Sequence, residues 1–134
     1  MKEQIKHYED KLAYEIDSAD VADFFKSKIN GEKMIVIDAR SVDAFAAEHI
    51  PGAVSFPHRT MNEETTKSLE KEALYISYCD GIGCNASTRG ALKLSTLGFK
   101  VKELMGGLDW WKRDGYSTEG SLGVKRNMDV QCAC

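Results

Sequence analysis

Apolar residues recur along this chain in two rhythms. Met34 to Ile37 and Leu74 to Tyr78 are short, nearly unbroken apolar runs, the pattern of strands buried on both faces rather than on one. Lys100 to Leu104 and Ala53 to Phe56 complete the strand set, the latter opened by the turn Pro51-Gly52. Between them the spacing turns helical. Glu3 to Tyr14 carries Ile5, Tyr8 and Leu12 on one stripe. Ser18 is placed to cap a helix through Ile29, with Val21, Phe24 and Phe25 on its apolar face and Asn30-Gly31 as its stop. Ser41 caps a short helix through Glu48, and Thr60-Met61-Asn62-Glu63 has the capping-box form that opens another. Ala86 to Leu97 predicts a helix stopped by Gly98. After the Gly106-Gly107 turn, Leu108 to Arg113 predicts a last short helix, ended by Asp114-Gly115.

Strands alternating with helices predict an α/β fold, a parallel sheet flanked by helices on both faces. At 134 residues the chain is one domain: an N-terminal helix over 3–14, a core over about 14–116 and a tail over 120–134. In such sheets ligands bind beyond the carboxyl ends of the strands. Asp38 and Arg40 follow the first strand, Pro57, His58 and Arg59 the second, and Cys79 the third, so three loops are expected to converge on one cleft.

Composition narrows the field. Hydrophobic residues make up 43% and charged residues 29%, and the formal charge is -3 with no basic stripe, which argues against nucleic acid as a partner. No segment has the length and apolarity of a membrane span or the organisation of a secretion signal, so no membrane partner and a cytoplasmic location are expected. Four cysteines in such a chain predict reduced thiols rather than a disulfide scaffold.

The chemistry concentrates at Tyr78-Cys79-Asp80-Gly81-Ile82-Gly83-Cys84-Asn85. A cysteine at a strand end, followed by glycines and a helix start, lies among backbone N–H donors at the positive end of a helix dipole, and both favour the nucleophilic thiolate. Cys79 is the candidate catalytic residue. Asp80, Gly81, Ile82, Gly83, Cys84, Asn85 and Ala86 form the loop whose amides would hold a bound anion, the glycines letting it curl.

Ile37-Asp38-Ala39-Arg40, His49-Ile50-Pro51-Gly52-Ala53, Tyr78-Cys79, Leu97-Gly98-Phe99 and Gly106-Gly107 with Trp111 stand in the order and spacing of a known family. From Tyr14 to Tyr116 the chain resembles a single-domain rhodanese-like sulfurtransferase. The resemblance implies the rhodanese-like fold and a ping-pong transfer of sulfane sulfur through a persulfide on Cys79. The donor would be thiosulfate or a persulfide, and the acceptor cyanide or a thiol, protein thiols included. No metal and no organic cofactor is expected. The alternative class is a sulfur carrier or partner-binding module without turnover. A phosphatase or arsenate-reductase-like member of the fold ranks lower: a somewhat long loop points that way, but Asn85 stands where Cys-x5-Arg requires arginine, and Arg89 lies a turn further on. Asp80 beside the thiolate would repel a dianionic donor, with Arg59 and Arg89 as candidate compensation.

The remaining residues carry paired readings. Cys84 either resolves or protects Cys79 or packs as a small residue near the helix start, and a zinc site built on the two has too few further ligands. Asp38 and Arg40 are read as a structural pair bracing the cleft, His49 as ordering the turn at Pro51, and Trp111 as a core or lid anchor. His58, Arg59 and Arg89 are candidates for the cleft rim. Tyr78 points away from Cys79 by strand alternation and is assigned to the core. Cys132 and Cys134 in the tail are read as exposed thiols, with sulfur exchange or soft-metal binding as the sharper option.

Overall fold

The computed structural model describes residues 1–27 and 33–126. The elements run α1 (Lys2–Tyr14), β1 (Glu15–Ile16), α2 (Ser18–Ser27), β2 (Met34–Asp38), α3 (Val42–Ala47), β3 (Val54–Ser55), a 3-10 turn (His58–Thr60), β4 (Leu74–Tyr78), α4 (Ala86–Thr96), β5 (Lys100–Leu104) and α5 (Gly107–Arg113). The five strands form one all-parallel sheet in the order β1-β5-β4-β2-β3.

The sheet is covered on both sides, as the unbroken apolar runs require. Val36, Ile76 and Tyr78 face one core with Val21 and Ala22 of α2 and Leu108 and Trp111 of α5. Ile37 and Tyr75 face the other with Leu94 of α4, Met61, Ala73 and Phe99. Adjacent strand residues thus go to opposite cores. The register sets Asp38 beside Tyr78, so β2 and β4 end level at their carboxyl ends.

Most predicted elements are present, and four differ. The strand β1 has only two residues and pairs with β5 at the sheet edge; so short a segment leaves no period to read. Asp17, not Ser18, caps α2: its carboxylate accepts from the Asp20 N–H at 2.9 Å, while Ser18 lies buried in the first turn. The capping box at Thr60 opens no helix. The Thr60 hydroxyl donates to the Pro57 carbonyl, the Asn62 carboxamide accepts from the Thr65 N–H, and the Thr66 hydroxyl donates to the Asn62 carbonyl. These local bonds satisfy the backbone as turns and outcompete the helix. Residues 120–126 are not a loose tail, since Ser121 and Leu122 donate to the Ala46 and Ala47 carbonyls of α3. The expected Ile29 end of α2, its Asn30-Gly31 stop, and Cys132 and Cys134 lie outside the described residues.

Candidate functional site

Cys79 leaves β4 at the carboxyl edge of the sheet and is 1% exposed. Its carbonyl accepts from the Leu108 N–H at 2.9 Å, and the Asp80 carbonyl accepts from the Asp109 N–H at 2.7 Å. In a trans peptide the N–H points opposite the carbonyl, so the Asp80 and Gly81 N–H groups turn away from α5. The loop closes on itself where the Cys84 N–H donates to the Gly81 carbonyl at 3.2 Å, and α4 starts two residues later. The first-turn N–H groups of α4 have no carbonyl behind them within the helix and remain available to an anion.

The two loop cysteines are joined. Cys79 and Cys84 form a disulfide with a Cα–Cα distance of 6.2 Å. The reduced state expected from composition therefore fails at this pair, for a local reason: the Gly81–Cys84 turn folds the second cysteine back onto the first. The Asp80 carboxylate and the two sulfurs lie within 4.8 Å of one another. With both sulfurs bonded to each other and Asp80 paired to arginine, that cluster offers no thiolate to a metal.

The glycines that the loop depends on are not the ones in it. A Cβ on Gly83 would meet nothing within 4 Å, and one on Gly81 would press on Asp109 at 3.2 Å. A Cβ on Gly107 would collide with the Cys79 carbonyl oxygen, and Gly107 has φ +58. Gly106 (φ +76) is equally constrained, with Trp110 against it. The pair is what lets α5 start directly against the nucleophile loop.

Arg40 braces the other side. Its side chain is 8% exposed and meets Asp38 at 2.7 Å and Asp80 at 2.8 Å, the Asp38 carboxylate being fully buried. It also donates to the Ala44 and Glu48 carbonyls. Burial disfavours the charge, but the hydrogen bonds Arg40 donates to Asp38 and Asp80, with the Asp38 charge, outweigh it and raise the guanidinium further above its ordinary value. Tyr78 does more than fill the core. Its hydroxyl donates to Asp38 at 2.8 Å and accepts from the Ile50 N–H at 3.1 Å. Burial, then the Asp38 charge, pushes its pKa well up and keeps it neutral.

His49 stacks on Phe45 at 3.8 Å and its Nδ1 meets the Phe45 carbonyl at 2.7 Å. Its backbone exchanges two hydrogen bonds with Glu119, so it ties the end of α3 to the C-terminal segment. Trp111 is fully buried and donates to the Ser117 carbonyl, far inside the core.

Two clefts meet at the cysteine pair. The first, about 490 Å³, brings together Arg40, Pro57, His58, Arg59, Cys79, Asp80, Cys84 and Ala86, the convergence expected of the three loops. Its character is cationic. Burial, then the charges of Lys93, Arg59 and Arg89, lowers the His58 pKa. Arg89 hydrogen-bonds Asn85 at 3.3 Å on the exposed face of α4. The second cleft, about 410 Å³, lies on the β5 side and is lined by Lys11, Glu15, Ser87, Thr88, Glu103, Met105 and Trp110 as well as both cysteines. Glu103 accepts hydrogen bonds from Ser87 and Thr88 there. Nothing local in the sequence marks these residues: they come from α1, β1, α4, β5 and α5, and only the fold assembles them.

The family pattern of the rhodanese-like domain matches residues 21–114. Among solved structures, a Bacillus halodurans protein is 43% identical over 95% of this chain and 91% of its own, with a TM-score of 0.84. The rhodanese-like domain of an Anabaena protein is 27% identical over 81% of this chain and 80% of its own, TM-score 0.68. A Pseudomonas aeruginosa thiosulfate sulfurtransferase shares the fold at 24% identity and a TM-score of 0.66, over 82% of this chain and 20% of that longer one. No curated protein matches. With its pattern matched from α2 to the end of α5 and its parallel sheet intact around Cys79, the chain belongs to the rhodanese-like domain family, which has sulfurtransferase members.

Proposed function

We propose that the protein is a sulfurtransferase with Cys79 as its nucleophile. The observation that carries the reading is the position of Cys79: at the carboxyl end of a central strand, ahead of the N-terminal turn of α4, and at the meeting point of two clefts. Once reduced, the Cys79 thiolate attacks the sulfane sulfur of a donor such as thiosulfate. The donor S–S bond breaks, sulfite leaves with the bonding pair, and Cys79 keeps the sulfur as a persulfide. An acceptor thiolate or cyanide then takes the outer sulfur and restores the thiolate. Loop and helix N–H groups stabilise the anionic forms of Cys79.

Charge supports an anionic donor. The Asp80 carboxylate that would repel it is paired with Arg40, and Arg59, Arg89 and Lys93 give the larger cleft its positive field. Donors and acceptors that are small molecules or protein thiols fit this open geometry.

The test is a single-turnover assay. Protein reduced and freed of reductant is mixed with thiosulfate, and sulfite is followed. A stoichiometric burst is expected from the parent and none from Cys79→Ser. A burst surviving in Cys79→Ser would mean that another residue is the nucleophile. A burst without turnover on adding a thiol or cyanide would favour the carrier reading over the enzyme.

A further inference from the structure

We propose that the protein also reduces sulfane sulfur to hydrosulfide, with Cys84 resolving the Cys79 persulfide inside the loop and an external dithiol reducing the disulfide that results. This rests on the sulfurtransferase reading of Cys79 and adds a second fate for the loaded sulfur.

The geometry that supports it is already folded. The Cys79–Cys84 Cα distance of 6.2 Å lies inside the range a disulfide tolerates, so the fold accommodates the bond between the two loop cysteines. Cys79 and Asp80 are anchored to α5 through Leu108 and Asp109, and the Gly81–Cys84 turn returns the second sulfur to the first. The bond joins Cys84 to the sulfur attached to the Cys79 β-carbon. Attack at that inner sulfur expels the outer one, whereas attack at the outer sulfur would merely relocate the persulfide.

In the first step the Cys84 thiolate attacks the Cys79 Sγ. The Sγ–outer sulfur bond breaks, and the outer sulfur leaves with the electron pair as hydrosulfide, keeping the persulfide proton or taking one from water. Two cysteine sulfurs are oxidised to a disulfide as one sulfane sulfur is reduced to sulfide. In the second step a dithiol supplies the electrons. One of its thiolates attacks a protein sulfur, and its second thiol closes on the resulting mixed disulfide, freeing the second protein thiolate. The thiol protons pass to the protein thiols or to water.

Burial decides which sulfur is attacked. Both cysteines line the two clefts, but Cys79 is 1% exposed while Cys84 is partly exposed. The incoming thiol therefore reaches Cys84, and Cys79 departs. Reduction thus returns the nucleophile directly to its active form. While the pair is oxidised neither sulfur is a thiolate, so a sulfane donor finds no nucleophile there.

The experiment uses the full chain with Cys132→Ser and Cys134→Ser, so that only the loop pair can respond. Reduced, reductant-free protein receives one equivalent of thiosulfate, and sulfite, hydrosulfide and the peptide map are read together. The expected result is sulfite and hydrosulfide in equal amounts, with Cys79 and Cys84 recovered as a disulfide; dithiothreitol then makes hydrosulfide release continuous. Cys84→Ser and Cys84→Ala are expected to lose thiol-independent hydrosulfide release and to hold the sulfur on Cys79. A stable Cys79 persulfide beside a free Cys84, a persulfide recovered on Cys84, or hydrosulfide release undiminished in both Cys84 variants would overturn the proposal while leaving sulfur loading intact. Absence of sulfite from every protein would instead remove the sulfurtransferase reading, and this step with it.

Discussion

Arg40 is the residue on which the site is hung. One guanidinium meets a fully buried carboxylate, Asp38, and a largely exposed one, Asp80, and bonds two carbonyls around α3. The two ion pairs differ in worth. Arg40→Ala leaves Asp38 charged in the core with Tyr78 as its remaining side-chain partner, which is expected to cost about 3 kcal/mol, roughly 10 °C in Tm for a domain of this size. Asp80 is 71% exposed, so Asp80→Asn is expected to cost no more than about 1 kcal/mol. Thermal unfolding of the two variants at neutral pH measures the difference; equal losses would show that Asp80 matters to the fold as much as Asp38. The Asp38–Arg40 pair was legible in the sequence as a charged pair at a strand end. Its reach to Asp80 and to the Tyr78 hydroxyl was not, because both partners lie forty residues or so away and arrive only with the β2–β4 register.

At the scale of elements, the strongest constraint on the nucleophile loop comes from the helix behind it. Gly107→Ala would drive a methyl group into the Cys79 carbonyl at a positive φ, and overpacking of this kind costs about 1–3 kcal/mol before any shift of the loop is counted. Gly83→Ala meets open space and is expected to be neutral or slightly stabilising, by up to about 1 kcal/mol, through the unfolded chain. Melting temperatures together with the sulfite burst test the contrast: Gly107→Ala should lose both stability and burst, Gly83→Ala neither. The reverse ranking would mean that the loop's own glycines shape it.

The same scale explains what could be read in advance. β4 and α4 were legible nearly to the residue because burial on both faces and a 3.6-residue stripe leave strong local patterns. The capping box at Thr60 misled because the same side chains can bond their own backbone in turns. Glu15–Ile16 became a strand only because β5 lies beside it.

For the whole molecule, acidification tests how far the site and the frame share their electrostatics. Glu48, at the end of α3, accepts hydrogen bonds from Thr118 at 2.6 Å and from Lys112 at 2.9 Å. It thereby links α3, α5 and the C-terminal segment. Burial pushes its carboxyl up, but those bonds and the charges of Lys112 and Arg40 prevail and lower it below its ordinary 4.5. His58, in the cationic cleft, has its Nδ1 buried without a hydrogen-bond partner among the described residues, and its pKa is lowered from 6.5. Both groups bind a proton less readily in the folded chain than in the unfolded one. Stability is therefore lost as pH falls, in two windows: below about 6.5 as unfolded His58 takes up its proton, and below about 4.5 as Glu48 does. Plotted against pH, the Tm of the parent is expected to decline through both. His58→Gln should flatten the upper window alone, and with little effect at neutral pH. Glu48→Gln should flatten the lower one and also lower Tm at neutral pH, because Lys112 loses its partner. If the upper decline survives in His58→Gln, the cleft does not hold that imidazole neutral, and the cationic field assigned to the donor mouth is weaker than its arginines and lysine suggest.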